Sequence, residues 1–176
     1  VGPYYAKAAP RSVTKEEIKT LVKQFGDAAY RMKMVGGDGV EIHAAHAHGL
    51  LGGFLSPQYN KRTDEYGGDI DGRLRLTLEV IEEVRNRCGE DFIIDVRISG
   101  DEYTDGANNL NDMIYVAKRL EKAGVNMLHV SGGMTILRGS AIPANGTKMG
   151  SHADSAKEIK KHVSIPVVTV GRITEP

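Results

Sequence analysis

Cysteine is scarce in this chain, and its scarcity removes several kinds of site. Cys88 is the one cysteine among 176 residues. The chain alone can therefore hold no internal disulfide, no all-cysteine zinc site and no iron–sulfur cluster. A reducing compartment is the ordinary setting for such a protein. Because Cys88 ends an apolar helical stripe, we expect its thiol to pack in the core rather than act as a nucleophile.

An excess of charge of either sign is also lacking. Lysine plus arginine and aspartate plus glutamate number 23 each, which gives a formal net charge of zero. Nucleic acids and anionic membranes attract basic surfaces, so neither is expected as a partner. The composition, 40% hydrophobic and 26% charged, is ordinary for a globular domain, and the length suits a single domain over residues 1–176.

Long apolar runs are missing as well. No run approaches the roughly 20 residues of a transmembrane helix. The opening Val1-Gly2-Pro3 has neither the basic start nor the apolar stretch of a secretory leader, so we expect a cytoplasmic protein. The sequence does not begin with methionine, and we expect it to be processed or cut from a longer polypeptide.

Helical and strand patterns alternate along the chain. Thr14 and Glu17 have the spacing of a capping box, and the apolar stripe that follows runs to Met32 and stops at Gly36-Gly37. Apolar periodicity predicts further helices within 74–88, 110–120 and 156–163, and short strands at about 39–43, 92–98, 127–130 and 166–170. This order predicts a parallel α/β sheet covered by helices. Either an open doubly wound sheet or about half of a (β/α)8 barrel fits the pattern.

Polar residues gather just after the predicted strands, at 43–48, 97–101, 131–133 and 171–172. The carboxyl ends of parallel strands form the ligand-binding edge in both architectures. The clustering therefore predicts a functional site at that edge.

Three histidines, His43, His46 and His48, follow the first strand within six residues. If the chain turns tightly after His43, the imidazoles of His43 and His46 can converge. Such a pair can donate two hydrogen bonds to one carbonyl oxygen. It can instead bind a metal with His48 or Glu41 as third ligand, or simply hydrogen-bond to the backbone. The spacing alone leaves these three interpretations open.

Other positions carry weaker signals. Arg97, near the end of an apolar strand, predicts either an anionic or electron-rich ligand or a salt bridge to Glu41 or Asp95. Gly171-Arg172 follows the last strand, where a glycine lets backbone amides approach a phosphate. The long charged segment 56–75 is interpreted as a mostly structural loop that covers the site from one side.

Several motifs occur in a specific order. The chain contains GDGVEIHAAH, FLSPQYNKRTDEYGGD and GRLRLTLEVIEEVR, and later DVRISGDEYTDG, LEKAGVNMLHVSGG and IKKHVSIPVVTVGRITEP. From Thr14 onward they resemble the old yellow enzyme family of FMN-dependent NAD(P)H oxidoreductases, and most closely its branch of 2,4-dienoyl-CoA reductases and bile-acid-inducible oxidoreductases. The resemblance implies part of a (β/α)8 TIM barrel, about four βα units from the third helix to the seventh strand. Any iron–sulfur cluster or FAD of the longer branch would lie outside this chain.

The resemblance also implies roles for single residues. In the family, reduced FMN, regenerated by NADH or NADPH, gives a hydride to the activated C=C of an enone or enoyl thioester. His43 and His46 match the pair that binds the substrate carbonyl, and Arg97 matches a contact to the flavin ring. Gly171 and Arg172 fall in the region of the FMN phosphate.

One departure from the family concerns the proton donor. Family members commonly have Gly-Tyr shortly after the second histidine, whereas this chain has Ala47-His48-Gly49. His48 or a water molecule would then have to supply the proton. We expect the isolated chain to be inactive and to self-associate through open barrel edges. The alternative hypothesis is a metal-dependent TIM-barrel lyase or hydrolase that uses His43, His46 and His48.

Overall fold

Helices and parallel strands alternate in the computed structural model, which describes residues 11–134 and 142–175. The elements are α1 (Lys15–Met34), β1 (Gly39–His43), α2 (Gly49–Leu55), α3 (Ile70–Cys88), β2 (Ile93–Ser99), α4 (Leu110–Lys122), β3 (Met127–Ser131), α5 (Ala153–Lys160) and β4 (Val167–Thr169). The predicted strands are confirmed to within one or two residues.

The four strands form one parallel sheet in the order β1-β2-β3-β4. His43 pairs with Arg97, and Arg97 pairs with His129, so these three side chains lie in one row across the sheet. Strands β1 and β4 are the two edges of this sheet. The α/β class with a parallel sheet, predicted from the alternating pattern, is confirmed.

The sheet has one apolar face and one polar face, because successive side chains of a strand point to opposite sides. The apolar face is almost fully buried beneath the helices and consists of Ile42, Ile94, Val96, Ile98, Leu128 and Val130. The polar face presents Glu41, His43, Asp95, Arg97 and His129. The helices thus cover one side and leave the polar side chains on the other.

Local signals define the helix starts. Glu17 N–H donates to the Thr14 hydroxyl at 3.2 Å and Thr14 N–H donates to the Glu17 carboxylate at 2.8 Å, so the predicted capping box is confirmed. Cys88 is 1% exposed in the core at the end of α3, as predicted. Among residues 11–134 and 142–175, no helix combines the length and the apolar character needed to cross a membrane.

Helix α2 was not predicted, because its sequence GLLGGFL is rich in glycine, which disfavours helix. Packing explains the composition. A Cβ at Gly52 would lie 2.6 Å from the carbonyl oxygen of Ala45, so α2 can rest on the turn after β1 only with glycine at that position.

The charged loop is shorter than predicted, because Asp69 caps α3 and residues 70–75 are helical. Hydrogen bonds within the remaining loop support the structural role predicted for it. The Asn60 side-chain amide donates to the carbonyls of Phe54 and Tyr66, at 2.7 Å each. Arg62 pairs with Asp64 at 2.6 Å.

Candidate functional site

The turn after β1 brings two of the predicted histidines together. His46 and Ala47 adopt left-handed backbone conformations, with φ of 64° and 48°, which reverse the chain immediately beyond the strand. The rings of His43 and His46 come to a centroid distance of 5.7 Å at the carboxyl edge of the sheet. The two imidazoles therefore converge, as a tight turn after His43 requires.

Hydrogen bonds with the end of β2 and with the segment just after β3 hold His46 in place. Its backbone N–H donates to the Ser99 hydroxyl at 2.8 Å, and that hydroxyl donates to the Gly133 carbonyl at 3.0 Å. The ring Nδ1 lies 3.1 Å from the carbonyl oxygen of Gly132. A carbonyl can only accept, so Nδ1 carries the proton and the neutral ring offers a lone pair at Nε2.

Burial and a neighbouring cation keep both imidazoles uncharged near neutral pH. Burial first, and then the positive charge of Arg97, lower the pKa of His46 to about 4. The same two causes, in the same order, lower the pKa of His43. Neutral His43 can donate a hydrogen bond to a polar, electron-rich group, whereas neutral His46 presents its Nε2 lone pair.

Arg97 lies beside this pair at the sheet edge. Its Nε atom is buried and has no hydrogen-bond partner among the described residues. The Glu41 carboxylate instead contacts His129 Nδ1 at 2.6 Å. Within the described ranges no ion pair joins Arg97 to Glu41 or Asp95, so the salt-bridge interpretation is wrong there and the guanidinium stays available at the sheet edge.

His48 lies outside the row of strand-end side chains. It precedes α2 as an exposed N-cap residue, and its side chain makes no capping hydrogen bond. It lines a cleft of about 510 Å³ together with Leu50 and Phe54 of α2 and residues 59–62 of the charged loop. The side chain of His48 is thus open both to solvent and to a molecule in the cleft.

Gly171 and Arg172 form a turn after β4 with positive φ at both residues. Their φ values are 113° and 53°. The Gly171 carbonyl accepts from Ser151 N–H at 3.1 Å, and the Arg172 guanidinium donates to the carbonyls of Ala144 and Thr147. Arg172 thus fixes the loop before α5 in this structure, and the predicted role of both residues at a phosphate stays a prediction.

Sequence reasoning did not single out three polar residues near this edge. Ser99 lies two positions after Arg97 on β2, and His129 pairs with Arg97 from β3. The alternation of side chains along the strands was the signal that could have found both residues. His152, 2% exposed, packs between Gly132 and Gly171, and neither of its ring nitrogens has a hydrogen-bond partner within the described ranges. No local pattern marks His152, because its neighbours come from distant parts of the chain.

A group of three possible metal ligands forms deeper on the polar face. Ligand atoms of Glu41, Asp95 and His129 all lie within 4.8 Å of one another. Burial, followed by the nearby Glu41 carboxylate, raises the pKa of Asp95 to about 6. Among the described residues, Glu41, Asp95 and His129 form a group of three possible ligands, whereas His43, His46 and His48 do not. The geometry therefore does not favour the metal-dependent alternative built on those histidines.

Comparison with known proteins gives a consistent family. The sequence profile of the NADH:flavin oxidoreductase / NADH oxidase family matches residues 4–176. An NADH oxidase of Thermoanaerobacter brockii is 43% identical over 167 residues, which are 95% of this chain and 26% of that protein. The chain thus spans about a quarter of the length of this relative.

Solved structures agree in fold. A 2-naphthoyl-CoA reductase in complex with 2-naphthoyl-CoA superposes with a TM-score of 0.88 at 28% identity, over 94% of this chain and 25% of that one. Morphinone reductase in complex with tetrahydroNAD gives a TM-score of 0.71 at 28% identity, over 93% of this chain and 41% of that one. The four βα units correspond to part of a TIM barrel in these proteins.

Proposed function

The chain belongs to the NADH:flavin oxidoreductase / NADH oxidase family, and on that premise we propose that it is a section of an FMN-dependent NAD(P)H oxidoreductase. We propose that the whole enzyme reduces the activated C=C bond of an enone or enoyl thioester. The related 2-naphthoyl-CoA reductase is in complex with 2-naphthoyl-CoA, a thioester, which supports this substrate class. We assign residues 1–176 to one domain, since a single hydrophobic cluster joins the described helices and strands, and we place the enzyme in the cytoplasm.

The residues at the sheet edge fit a flavin. Arg97 has a buried Nε without a partner among the described residues, on the polar face and in register with His43. A guanidinium that is always charged suits the edge of a flavin ring, where negative charge collects on reduction. When bound, FMN would supply hydride transfer. We propose that Arg97 contacts its ring and that Gly171 and Arg172 lie near its phosphate.

We propose that His43 and His46 bind and orient the substrate carbonyl. Within the described ranges no hydrogen bond fixes the tautomer of His43, so either of its ring nitrogens can donate. His46 donates from Nε2 only after taking up a proton, because its Nδ1 proton faces Gly132. Negative charge that develops on the carbonyl oxygen favours this protonation, so the pair binds the oxygen more strongly as the reaction proceeds.

His48 is our candidate for proton delivery to the substrate carbon. It stands where the family commonly has a tyrosine, and it lines the cleft beside α2. We expect the isolated chain to bind FMN weakly and to be inactive, because it spans about a quarter of its NADH oxidase relative.

The convergence of His43 and His46 at 5.7 Å, beside Arg97, is the observation that carries this proposal. The test is the affinity of the full-length flavoprotein for para-hydroxybenzaldehyde, a phenolic carbonyl mimic. Binding is measured through the change in flavin absorption. We expect His43→Ala combined with His46→Ala to weaken binding at least ~10-fold, because the hydrogen bond that neutral His43 donates, worth about 1.5 kcal/mol, is lost.

A matched control is His162→Ala, which removes an exposed histidine after α5. It should leave the affinity unchanged. Equal affinities of the wild type and the double variant would refute the assignment of the pair.

A further inference from the structure

We propose that Glu41, Asp95 and His129 form a binding site for a divalent transition-metal ion, below the carbonyl-binding edge on the polar face of the sheet. The three residues come from three adjacent parallel strands, so their positions are fixed by the register of the sheet. Glu41 pairs with Asp95. On β3, Asp95 pairs with Met127, and His129 lies two positions further along the strand.

The distances suit one shared ion. One ligand atom from each residue lies within 4.8 Å of the others. Oxygen and nitrogen ligands bind zinc at roughly 2.0–2.2 Å, so two ligands of one ion lie at most about 4.4 Å apart. The 4.8 Å limit on the separations of the three ligand atoms is close to this value.

One oxygen of a buried carboxylate gives the second, independent indication. Asp95 is 8% exposed, and its Oδ1 atom is buried without a hydrogen-bond partner among the described residues. Buried polar atoms are almost always paired, so this orphaned oxygen beside Glu41 and His129 indicates a missing partner.

The composition of the cluster decides the kind of ion. Magnesium and calcium take oxygen ligands, whereas an imidazole favours zinc and its neighbours. Two carboxylates and one imidazole provide two negative charges and one neutral nitrogen, which balance a divalent ion. Three protein ligands leave further coordination positions open, as at catalytic rather than purely structural zinc sites.

A neighbouring contact defines the competitor for the ion. His129 Nδ1 and Glu41 Oε2 are 2.6 Å apart, which is a hydrogen-bonding contact. A bound ion has to take the place of this contact.

Cobalt(II) is the probe, because its visible absorption reports the ligand set. We expect the full 176-residue chain, titrated with Co²⁺ at about pH 7.5, to bind one ion with micromolar or tighter affinity, and Zn²⁺ to displace it. The variants E41Q, D95N and H129Q should each weaken Co²⁺ binding at least ~10-fold. Glu41 is exposed and Asp95→Asn keeps the side-chain shape, so both variants retain the means to fold.

Two controls separate this site from others. Glu158 and His162 form another carboxylate–histidine pair, 3.6 Å apart and exposed, and E158Q with H162Q should leave Co²⁺ binding unchanged. His43→Ala with His46→Ala should also leave it unchanged. The proposal is overturned if the chain binds no stoichiometric Co²⁺, or if the histidine-pair variant abolishes binding while E41Q and D95N do not. No flavin enters this experiment, so its result is independent of the proposed oxidoreductase activity.

Discussion

His46 is buried and positioned by Ser99, Gly132 and Gly133, so its charge state is tied to the folded structure. The convergence of His43 and His46 could be anticipated from the sequence, because polar residues after parallel strands share one edge. The anchoring of His46 could not be anticipated. Ser99 lies 53 residues away along the chain, and its contact depends on the register of two strands.

The stability of the fold should depend on pH through His46. Its pKa is lowered to about 4 in the folded chain, by burial and then by Arg97, against about 6.5 when unfolded. The unfolded state therefore binds a proton first as the pH falls, and stability is lost between about pH 6.5 and 4. The measurement is the free energy of unfolding in denaturant for wild type and His46→Asn. Across this window it should fall by up to about 3 kcal/mol more in the wild type than in the variant. Asp95 is present in both proteins and contributes equally to their pH dependence. Parallel curves of unfolding free energy against pH would therefore contradict the assignment of this effect to His46.

At the scale of elements, the sequence predicts those whose signals are local. The capping box of α1, the apolar stripe of α3 and the short strands were all predicted close to their observed bounds. Helix α2 was missed because its glycines oppose helix locally and are required only by contact with the turn after β1. A close tertiary approach therefore outweighs local propensity in α2.

Two adjacent glycines of α2 provide a test of this explanation. A Cβ at Gly52 would collide with the Ala45 carbonyl, whereas a Cβ at Gly53 meets nothing within 4 Å. We expect Gly52→Ala to destabilise the fold by about 1–3 kcal/mol, as overpacking does. Gly53→Ala should stabilise it by about 0.5–1 kcal/mol through helix propensity. Equal effects of the two substitutions in urea unfolding would show that α2 is not held against the turn.

The whole molecule leaves two strand edges and one sheet face without cover from the described helices. Strands β1 and β4 end the sheet, and the polar face contains the candidate flavin and metal residues. The proportion of the barrel present could be judged from the number of βα units. The polar face holds the row of His43, Arg97 and His129 and the cluster of Glu41, Asp95 and His129, which share His129. This arrangement depends on strand register and side-chain packing, which the one-dimensional pattern does not contain.

Open edges of this kind should make the chain associate. A strand edge presents unpaired N–H and C=O groups that can pair with another chain. Val168 lies on edge strand β4 and is 43% exposed, so a lysine there should oppose edge pairing. We expect the wild-type chain to form dimers or larger species at micromolar concentration in light scattering, and Val168→Lys to shift it toward the monomer. Met32→Lys, at a 47% exposed position on α1, is the control and should leave the mass unchanged. A monomeric wild type would mean that the edges do not pair, and an equal effect of both lysines would place the contact elsewhere.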